Sequence, residues 1–226
     1  MSSKQLAAIN GSPRGERGNT PLMLGAFLEG YEEVSGDRPE ILHLAHGEPL
    51  ADPVTAFAGA DAVLLGFPLY TDAMPGIVKA FIEALEPRCG EDTNPELLFL
   101  VQSGFPEAVH SRAVEAYLAR LAWRLGSRYV GTIIKPSGEG TRLRSPERNA
   151  QLFARLRELG RVYAGSGALD PKVLGLLASP ERFPPWLSPV LRLFFRSKTA
   201  NFYWDKQLRE HGAFERRLAR PYVPRA

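Results

Sequence analysis

Short apolar runs recur along the chain and alternate with longer segments that have helical periodicity. The runs occupy residues 6–9, 41–44, 62–65, 97–101 and 129–134. Runs of this length and composition are typical of strands that are buried on both faces. Because each gap leaves room for a crossover helix, the alternation predicts an α/β fold with helices on both faces of the sheet. We expect a doubly wound, five-stranded parallel sheet with the strand order 2-1-3-4-5.

The segments between these runs have apolar residues three or four positions apart, as an amphipathic helix does. In residues 20–33 the stripe consists of Met23, Phe27 and Tyr31. The same spacing recurs in three further segments, at residues 75–85, 110–125 and 149–163. Each of these helices would therefore have one apolar face with which to cover the sheet.

The character of the chain changes after Gly165. Residues 171–177 predict a short helix, prolines follow, residues 186–195 are rich in aromatic side chains, and a last helix is predicted to begin at Asn201. We therefore expect a first domain at residues 1–166 and a helical, aromatic and basic C-terminal extension at residues 167–226.

The basic charge of the chain is concentrated in that extension. Residues 180–226 contain ten Lys or Arg and four Asp or Glu, whereas the whole chain has a net charge of +3. No nucleic-acid recognition motif accompanies these cations, so we expect no nucleic-acid partner. The mixture of Phe194 and Phe195 with Arg192, Arg196 and Lys198 leaves three roles open: core packing, a subunit contact or a membrane-surface contact. We favour a subunit contact in a homodimer or larger homo-oligomer, without a membrane span.

Composition adds limits on the class of protein. A hydrophobic content of 44% with 23% charged residues describes a globular protein that buries a core. A single cysteine, Cys89, excludes a disulfide framework and is typical of a reducing cytoplasm. The four histidines have no metal-ligand spacing, and no long apolar run precedes Gly11. We therefore expect a cytoplasmic protein without a metal or a signal peptide.

The loop after the first strand has the features of an anion site. It contains three glycines, Arg14, and the small polar residues Ser12, Asn19 and Thr20. Thr20 is a candidate N-cap, with Pro21 at the first helical position. A helix N-terminus attracts anions, so the element suits a phosphate. The loop matches neither the Rossmann nor the P-loop pattern, and taken alone an ordinary glycine-rich turn is an equal alternative.

Two further loops are expected at the same edge of the sheet. Residues 66–76 follow the third strand and are apolar and aromatic, which favours a flat ring, and residues 102–107 follow the fourth. In a sheet of order 2-1-3-4-5 the ends of strands one and three are neighbours at the topological switch point. The loops together predict a site for a mononucleotide with a large planar ring. Residues 135–140, after the fifth strand, are a weaker fourth contributor.

Two motifs carry a family resemblance. Gly11-Ser12-Pro13-Arg14 with Gly18-Asn19-Thr20, and Pro68-Leu69-Tyr70 with Met74-Pro75-Gly76, Lys79, Phe81 and Ile82, resemble the NAD(P)H-dependent FMN reductases of flavodoxin-like fold. The resemblance covers about residues 4–165, and residues 201–222 are similar to a C-terminal extension of some members. Related iron–sulfur flavoproteins have a cysteine cluster, and because this chain has only Cys89 we expect none.

The resemblance implies bound FMN, with its phosphate in the first loop and its isoalloxazine in the second and third. The cofactor-binding residues that it implies are Ser12, Arg14, Gly18, Asn19, Thr20, Pro68, Leu69, Tyr70, Thr71, Asp72, Ser103, Gly104, Phe105 and Glu107. Backbone N–H groups between Tyr70 and Ala73 are candidates for contacts to the ring.

The expected activity is hydride transfer from NAD(P)H to FMN and then to a small-molecule electron acceptor, such as a quinone or a flavin, in a ping-pong cycle. The cofactor supplies the chemistry, so no catalytic side chain is expected. A flavodoxin-type electron carrier, a non-catalytic flavin-binding module and an anion-binding protein without flavin are the alternatives. The preference between NADH and NADPH is open.

Overall fold

Five parallel strands form the centre of the fold: β1 (Leu6–Asn10), β2 (Ile41–His43), β3 (Ala62–Pro68), β4 (Glu96–Gln102) and β5 (Tyr129–Lys135). Their order is β2-β1-β3-β4-β5, and every neighbouring pair is parallel. The computed structural model describes residues 4–46, 51–187, 189, 193, 201–220 and 222. The predicted sheet and its strand order are confirmed.

Helices follow the strands as the alternating pattern predicts. They are α1 (Thr20–Ser35), α2 (Ala51–Gly59), α3 (Gly76–Ala84), α4 (Arg112–Leu125), α5 (Pro146–Ser166), α6 (Pro171–Leu177) and α7 (Phe202–Glu210). The N-cap of α1 is Asn19, one residue earlier than expected, so Thr20 is the first helical residue. Helix α2 was not among the four helices predicted from apolar stripes, because its nine residues are too few to show a clear period.

Two apolar cores lie on the two faces of the sheet. One packs α1 and α5 against β1, β3, β4 and β5, and the other packs α2, α3 and α4 against the opposite face. Strands β3 and β4 are buried along their whole lengths. Helices α1 and α5 approach closely at two glycines: a Cβ on Gly30 would lie 1.9 Å from the carbonyl oxygen of Arg157, and one on Gly160 would lie 2.0 Å from that of Phe27.

The chain divides into two compact units, residues 1–182 and 183–226. Helix α6 belongs to the first, where Leu177 is buried in the core that contains α1 and α5. In the second unit α7 begins after Asn201, as predicted. Much of the predicted aromatic run, with Phe194, Phe195, Arg192, Arg196 and Lys198, lies outside the described residues. A separate domain from residue 167 stays a prediction. Within the described residues, no helix combines the length and the apolar character that crossing a bilayer requires.

Candidate functional site

The loop between β1 and α1 is held in place by a buried asparagine. Asn10 has no exposed surface. Its Oδ1 accepts the N–H of Ser12 at 3.0 Å, and its Nδ2 donates to the carbonyl of Gly15 at 3.1 Å. The same Nδ2 lies 2.8 Å from Nδ1 of His43. The sequence analysis did not assign this role, although a polar residue at the end of an apolar strand is a signal for it.

The first loop forms a close-packed turn at the start of α1. A Cβ on Gly18 would lie 2.6 Å from Oγ of Ser12, so a larger residue at position 18 would displace the Ser12 hydroxyl. Thr20 is fully buried, and its Oγ1 has no hydrogen-bond partner among the described residues. Buried hydroxyls are nearly always hydrogen-bonded, so an unpaired one at a helix N-terminus indicates that a ligand atom belongs beside it.

The loop between β5 and α5 packs against the first loop. Asn19 donates through Nδ2 to the carbonyl of Glu139 at 2.7 Å, and its Oδ1 accepts the N–H of Arg142 at 3.0 Å. Arg142 also donates to the carbonyls of Glu16 and Gly18, at 2.8 and 3.0 Å. Both ends of the Asn19 amide are therefore engaged, and the side chain fastens the two loops together.

Arg14 of the first loop forms an ion pair with Glu139 of the loop after β5. Its Nη1 lies 2.9 Å from Oε1 of Glu139, and the two side chains are 57% and 40% exposed. An exposed pair of this kind contributes little free energy, so Arg14 can exchange its carboxylate for another anion. The sequence analysis expected the loop after β5 near the site but did not foresee the Glu139 contact.

The loop between β3 and α3 contains a strained two-residue turn. Tyr70 and Ala73 exchange backbone hydrogen bonds of 2.8 and 3.1 Å. The residues between them, Thr71 and Asp72, have φ values of 49° and 62°. Positive φ at both central positions defines a type I′ turn, which usually takes Asn and Gly, and such strain concentrates at functional sites. The N–H groups of Tyr70 and Ala73 are used in this pair of hydrogen bonds. Among the backbone N–H groups that the sequence analysis proposed as contacts to the ring, those of Thr71 and Asp72 are therefore the remaining candidates.

The loop between β4 and α4 completes this edge of the sheet. Ser103 is buried and donates its N–H to the carbonyl of Lys135 at 3.0 Å. Phe105 is 42% exposed and stacks on His110 with 4.4 Å between the ring centroids. Gln102, which precedes the loop, is buried with its Oε1 unpaired among the described residues. The sequence analysis placed Gln102 in this loop but did not name it among the cofactor-binding residues.

The structure brings the three predicted loops to the carboxyl edge of the sheet, where β1, β3 and β4 are adjacent. Backbone hydrogen bonds join Gly11 to Gly66 at 2.7 Å and Leu69 to Gln102 at 2.8 Å. The predicted residues with exposed surface are Arg14, Tyr70, Thr71, Asp72, Gly104 and Phe105; Glu107 is half-buried, and Ser12, Gly18, Asn19, Thr20, Pro68, Leu69 and Ser103 are buried. That these residues bind a cofactor stays a prediction.

Chemically, this edge suits an anionic nucleotide. An unpaired hydroxyl, a helix N-terminus and Arg14 lie at one end, and the exposed rings of Tyr70 and Phe105 lie on the neighbouring loops. Phosphate oxygens accept hydrogen bonds from the first set, and a planar ring packs against the second. The residues present therefore fit FMN.

A scan against protein-family models and a search of curated proteins found no match. Solved structures do resemble the chain. An NADH:FMN oxidoreductase in its apo form is 20% identical over 82% of this chain and 99% of that one, with a TM-score of 0.55.

Two further solved structures have similar scores. An NAD(P)H:quinone oxidoreductase from Methanothermobacter marburgensis is 16% identical over 71% of this chain and 96% of that one, with a TM-score of 0.58. An FMN-dependent NADH-azoreductase from Bacillus anthracis strain Ames Ancestor, in complex with FMN, is 14% identical over 71% and 99%, with a TM-score of 0.55. Likenesses at such low identity show the fold alone. The chain is a flavodoxin-like α/β protein.

Proposed function

We propose that the chain is an FMN-dependent NAD(P)H oxidoreductase that passes hydride from a nicotinamide to a small acceptor, such as a quinone or a free flavin, in a ping-pong cycle. The observation that carries the proposal is the buried, unpaired hydroxyl of Thr20 at the start of α1, on the same sheet edge as the strained turn at Thr71 and Asp72. The resemblance of the fold to solved FMN and quinone reductases supports it.

At the phosphate end, three side chains have distinct roles. Thr20 donates its hydroxyl hydrogen to a phosphate oxygen, which satisfies the buried group. Arg14 exchanges Glu139 for the phosphate, because a doubly charged anion attracts a guanidinium more strongly than a carboxylate does. Asn19 stays hydrogen-bonded to the loop after β5 and keeps that loop packed against the first loop.

At the ring end, the chain supplies surface and backbone donors. Tyr70 and Phe105 offer exposed aromatic faces that exclude water from a bound ring. The N–H groups of Thr71 and Asp72 are the proposed hydrogen-bond donors to the ring edge, and Gln102 offers an unpaired acceptor. FMN, when bound, supplies the hydride chemistry. The chain has to position the two substrates and needs no side-chain base.

We also propose that the protein works in the cytoplasm as a homodimer or larger homo-oligomer. Sedimentation velocity of the full chain measures the oligomeric state. A monomer at micromolar concentration would contradict that part of the proposal without touching the FMN site.

The proposed phosphate contact is tested by removing the hydroxyl of Thr20 in the full chain. Thr20→Val keeps the side-chain shape and removes Oγ1, and Thr55→Val, at an exposed position on α2, is the matched control. Because a hydrogen bond to a charged group contributes about 1.5–3 kcal/mol, Thr20→Val should raise the Kd for FMN about 10- to 150-fold. Quenching of flavin fluorescence measures the Kd. Unchanged binding by Thr20→Val would remove the phosphate from this loop.

Turnover separates the proposed reductase from its alternatives. Wild-type protein with FMN should oxidise NADH or NADPH continuously when a quinone is present. A flavodoxin-type carrier or a non-catalytic module would bind FMN without this turnover, and a protein without affinity for flavin would fail both assays.

A further inference from the structure

A cavity on the first unit is lined by four cations. It has a volume of about 180 Å³ and lies where β5, α5 and α6 meet. Its positively charged lining consists of Lys135 at the end of β5, Arg144 in the following loop, and Arg148 and Arg155 on α5. Lys135 opens the loop that the sequence analysis named as a weaker contributor to the FMN site, but none of the four is among the cofactor-binding residues named there.

Among the described residues, these four cations have no acidic partner. Within the described part of the chain, none of the four forms an ion pair, whereas Arg157 and Arg161 of α5 pair with glutamates of α1. The hydrogen bonds that three of them make to described residues go to backbone carbonyls: Lys135 to Pro136 at 2.6 Å, Arg155 to Leu176 at 3.1 Å and Arg144 to Ser137 at 3.2 Å. Each guanidinium has five N–H donors, so most of the donor capacity of the cavity is left for a ligand.

The like charges that line the cavity act on one another. Burial lowers the pKa of Lys135, and the nearby charges of Arg144 and Arg155 lower it further. Arg148 lies in the first turn of α5, where the positive end of the helix adds to the field. The acid on that turn, Glu147, is exposed and does not line the cavity.

We propose that this cavity binds the phosphoryl dianion of a small molecule. Guanidinium groups match the geometry of phosphate oxygens, and a lysine ammonium adds a compact charge. With each water taking about 30 Å³, the volume holds a tetrahedral phosphoryl group and a few bridging waters. Gln151 and Ser179 add neutral polar groups to the lining, and the apolar part of the lining consists of Leu152, Leu176 and Leu177.

The cavity adjoins the proposed ring site through the backbone. The carbonyl of Lys135 accepts the N–H of Ser103 at 3.0 Å, and the N–H of Ser137 donates to the carbonyl of Phe105 at 2.8 Å. Two sources of the phosphoryl group follow from this position. One is the extra phosphate that distinguishes NADPH from NADH, and the other is a separate phosphorylated metabolite.

The first experiment measures inorganic phosphate binding by calorimetry, with the full chain saturated with FMN at constant ionic strength. Arg148→Gln should weaken phosphate about 10-fold or more, since it removes a hydrogen bond to a charged group. Arg148→Lys should keep part of the affinity. Arg124→Gln, at an exposed arginine of α4, is the control with the same change in net charge and should bind as wild type. No binding by wild type, or equal weakening by Arg124→Gln, overturns the proposal.

Two comparisons separate this site from the FMN site and identify the source. Phosphate binding should persist in Arg14→Gln, and its loss there would place the anion in the first loop instead. In steady-state assays, a higher KM for NADPH in Arg148→Gln with an unchanged KM for NADH identifies the phosphate of NADPH. If Arg148→Gln leaves the KM values for NADH and NADPH unchanged but weakens the binding of inorganic phosphate, the ligand is a separate phosphorylated metabolite. Because the calorimetric readout needs no hydride transfer, it stands if the proposed reductase activity fails.

Discussion

The ion pair between Arg14 and Glu139 makes a specific prediction about FMN affinity. In the proposed site Arg14 binds the phosphate, so Glu139 competes for it and also places a negative charge near the dianion. Glu139→Gln should therefore tighten FMN binding. The substitution leaves the backbone carbonyl that accepts from Asn19 in place, so the two loops stay fastened.

The structure sets the size of this effect. Both side chains are more than a third exposed, so solvent screens the pair and its contribution is about 0.2–1 kcal/mol. Loss of that competition lowers the Kd for FMN about 1.4- to 5-fold. Arg14→Gln removes a hydrogen bond to a charged group and should raise the Kd about 10- to 150-fold.

Fluorescence titration of FMN into the full chain measures both effects. The double variant Arg14→Gln/Glu139→Gln tests their coupling. Glu139→Gln should lower the Kd for FMN very little in a chain that already carries Arg14→Gln. Higher salt should shrink the gain from Glu139→Gln. Glu83→Gln, at an exposed glutamate of α3, is the control and should leave the Kd unchanged. Weaker FMN binding in Glu139→Gln would refute the competition and make Glu139 a supporting residue of the site.

Two further predictions concern stability. Gly30→Ala should lower the free energy of unfolding by about 1–3 kcal/mol or more, because its Cβ would lie 1.9 Å from a backbone oxygen of α5. The control Gly25→Ala has open space and should raise it by up to about 1 kcal/mol; urea unfolding that gives both variants the same sign would contradict the close contact. Arg112 holds the pKa of the Glu181 carboxyl below its usual range, so the pair should stabilise the fold above about pH 4.3 and lose this effect as the pH falls through the lowered pKa. Glu181→Gln should lower the free energy of unfolding by at most about 1 kcal/mol at pH 7 and should have no effect in strong acid. A loss of stability that persists in strong acid would show that the charge of the Glu181 carboxylate is not its cause.

The local pattern of the chain was enough to predict the sheet. Each strand contains a short, mainly apolar run such as residues 97–101, and four of the predicted helices have a clear apolar stripe, so periodicity separates the two. The strand order then places the ends of β1, β3 and β4 together without any knowledge of side-chain contacts. The short helix α2 was missed because two turns carry too little periodic signal.

Contacts that depend on the tertiary fold could not be predicted from the sequence pattern. Arg14 and Glu139 are 125 positions apart, and they meet because the winding puts α1 and α5 on the same face of the sheet. The cationic cavity arises in the same way, since Lys135 and Arg155 come from different elements. The unpaired hydroxyl of Thr20 depends on how α1 packs against β3, which no spacing rule reveals.

Anaerobic reduction of the FMN-loaded full chain tests the central claim most directly. The account predicts that the protein binds one FMN per chain, and that NADH or NADPH then bleaches the visible absorbance band of the bound flavin, which a quinone restores. A chain that binds no FMN, or whose bound FMN keeps its oxidised spectrum in the presence of both nicotinamides, would contradict it.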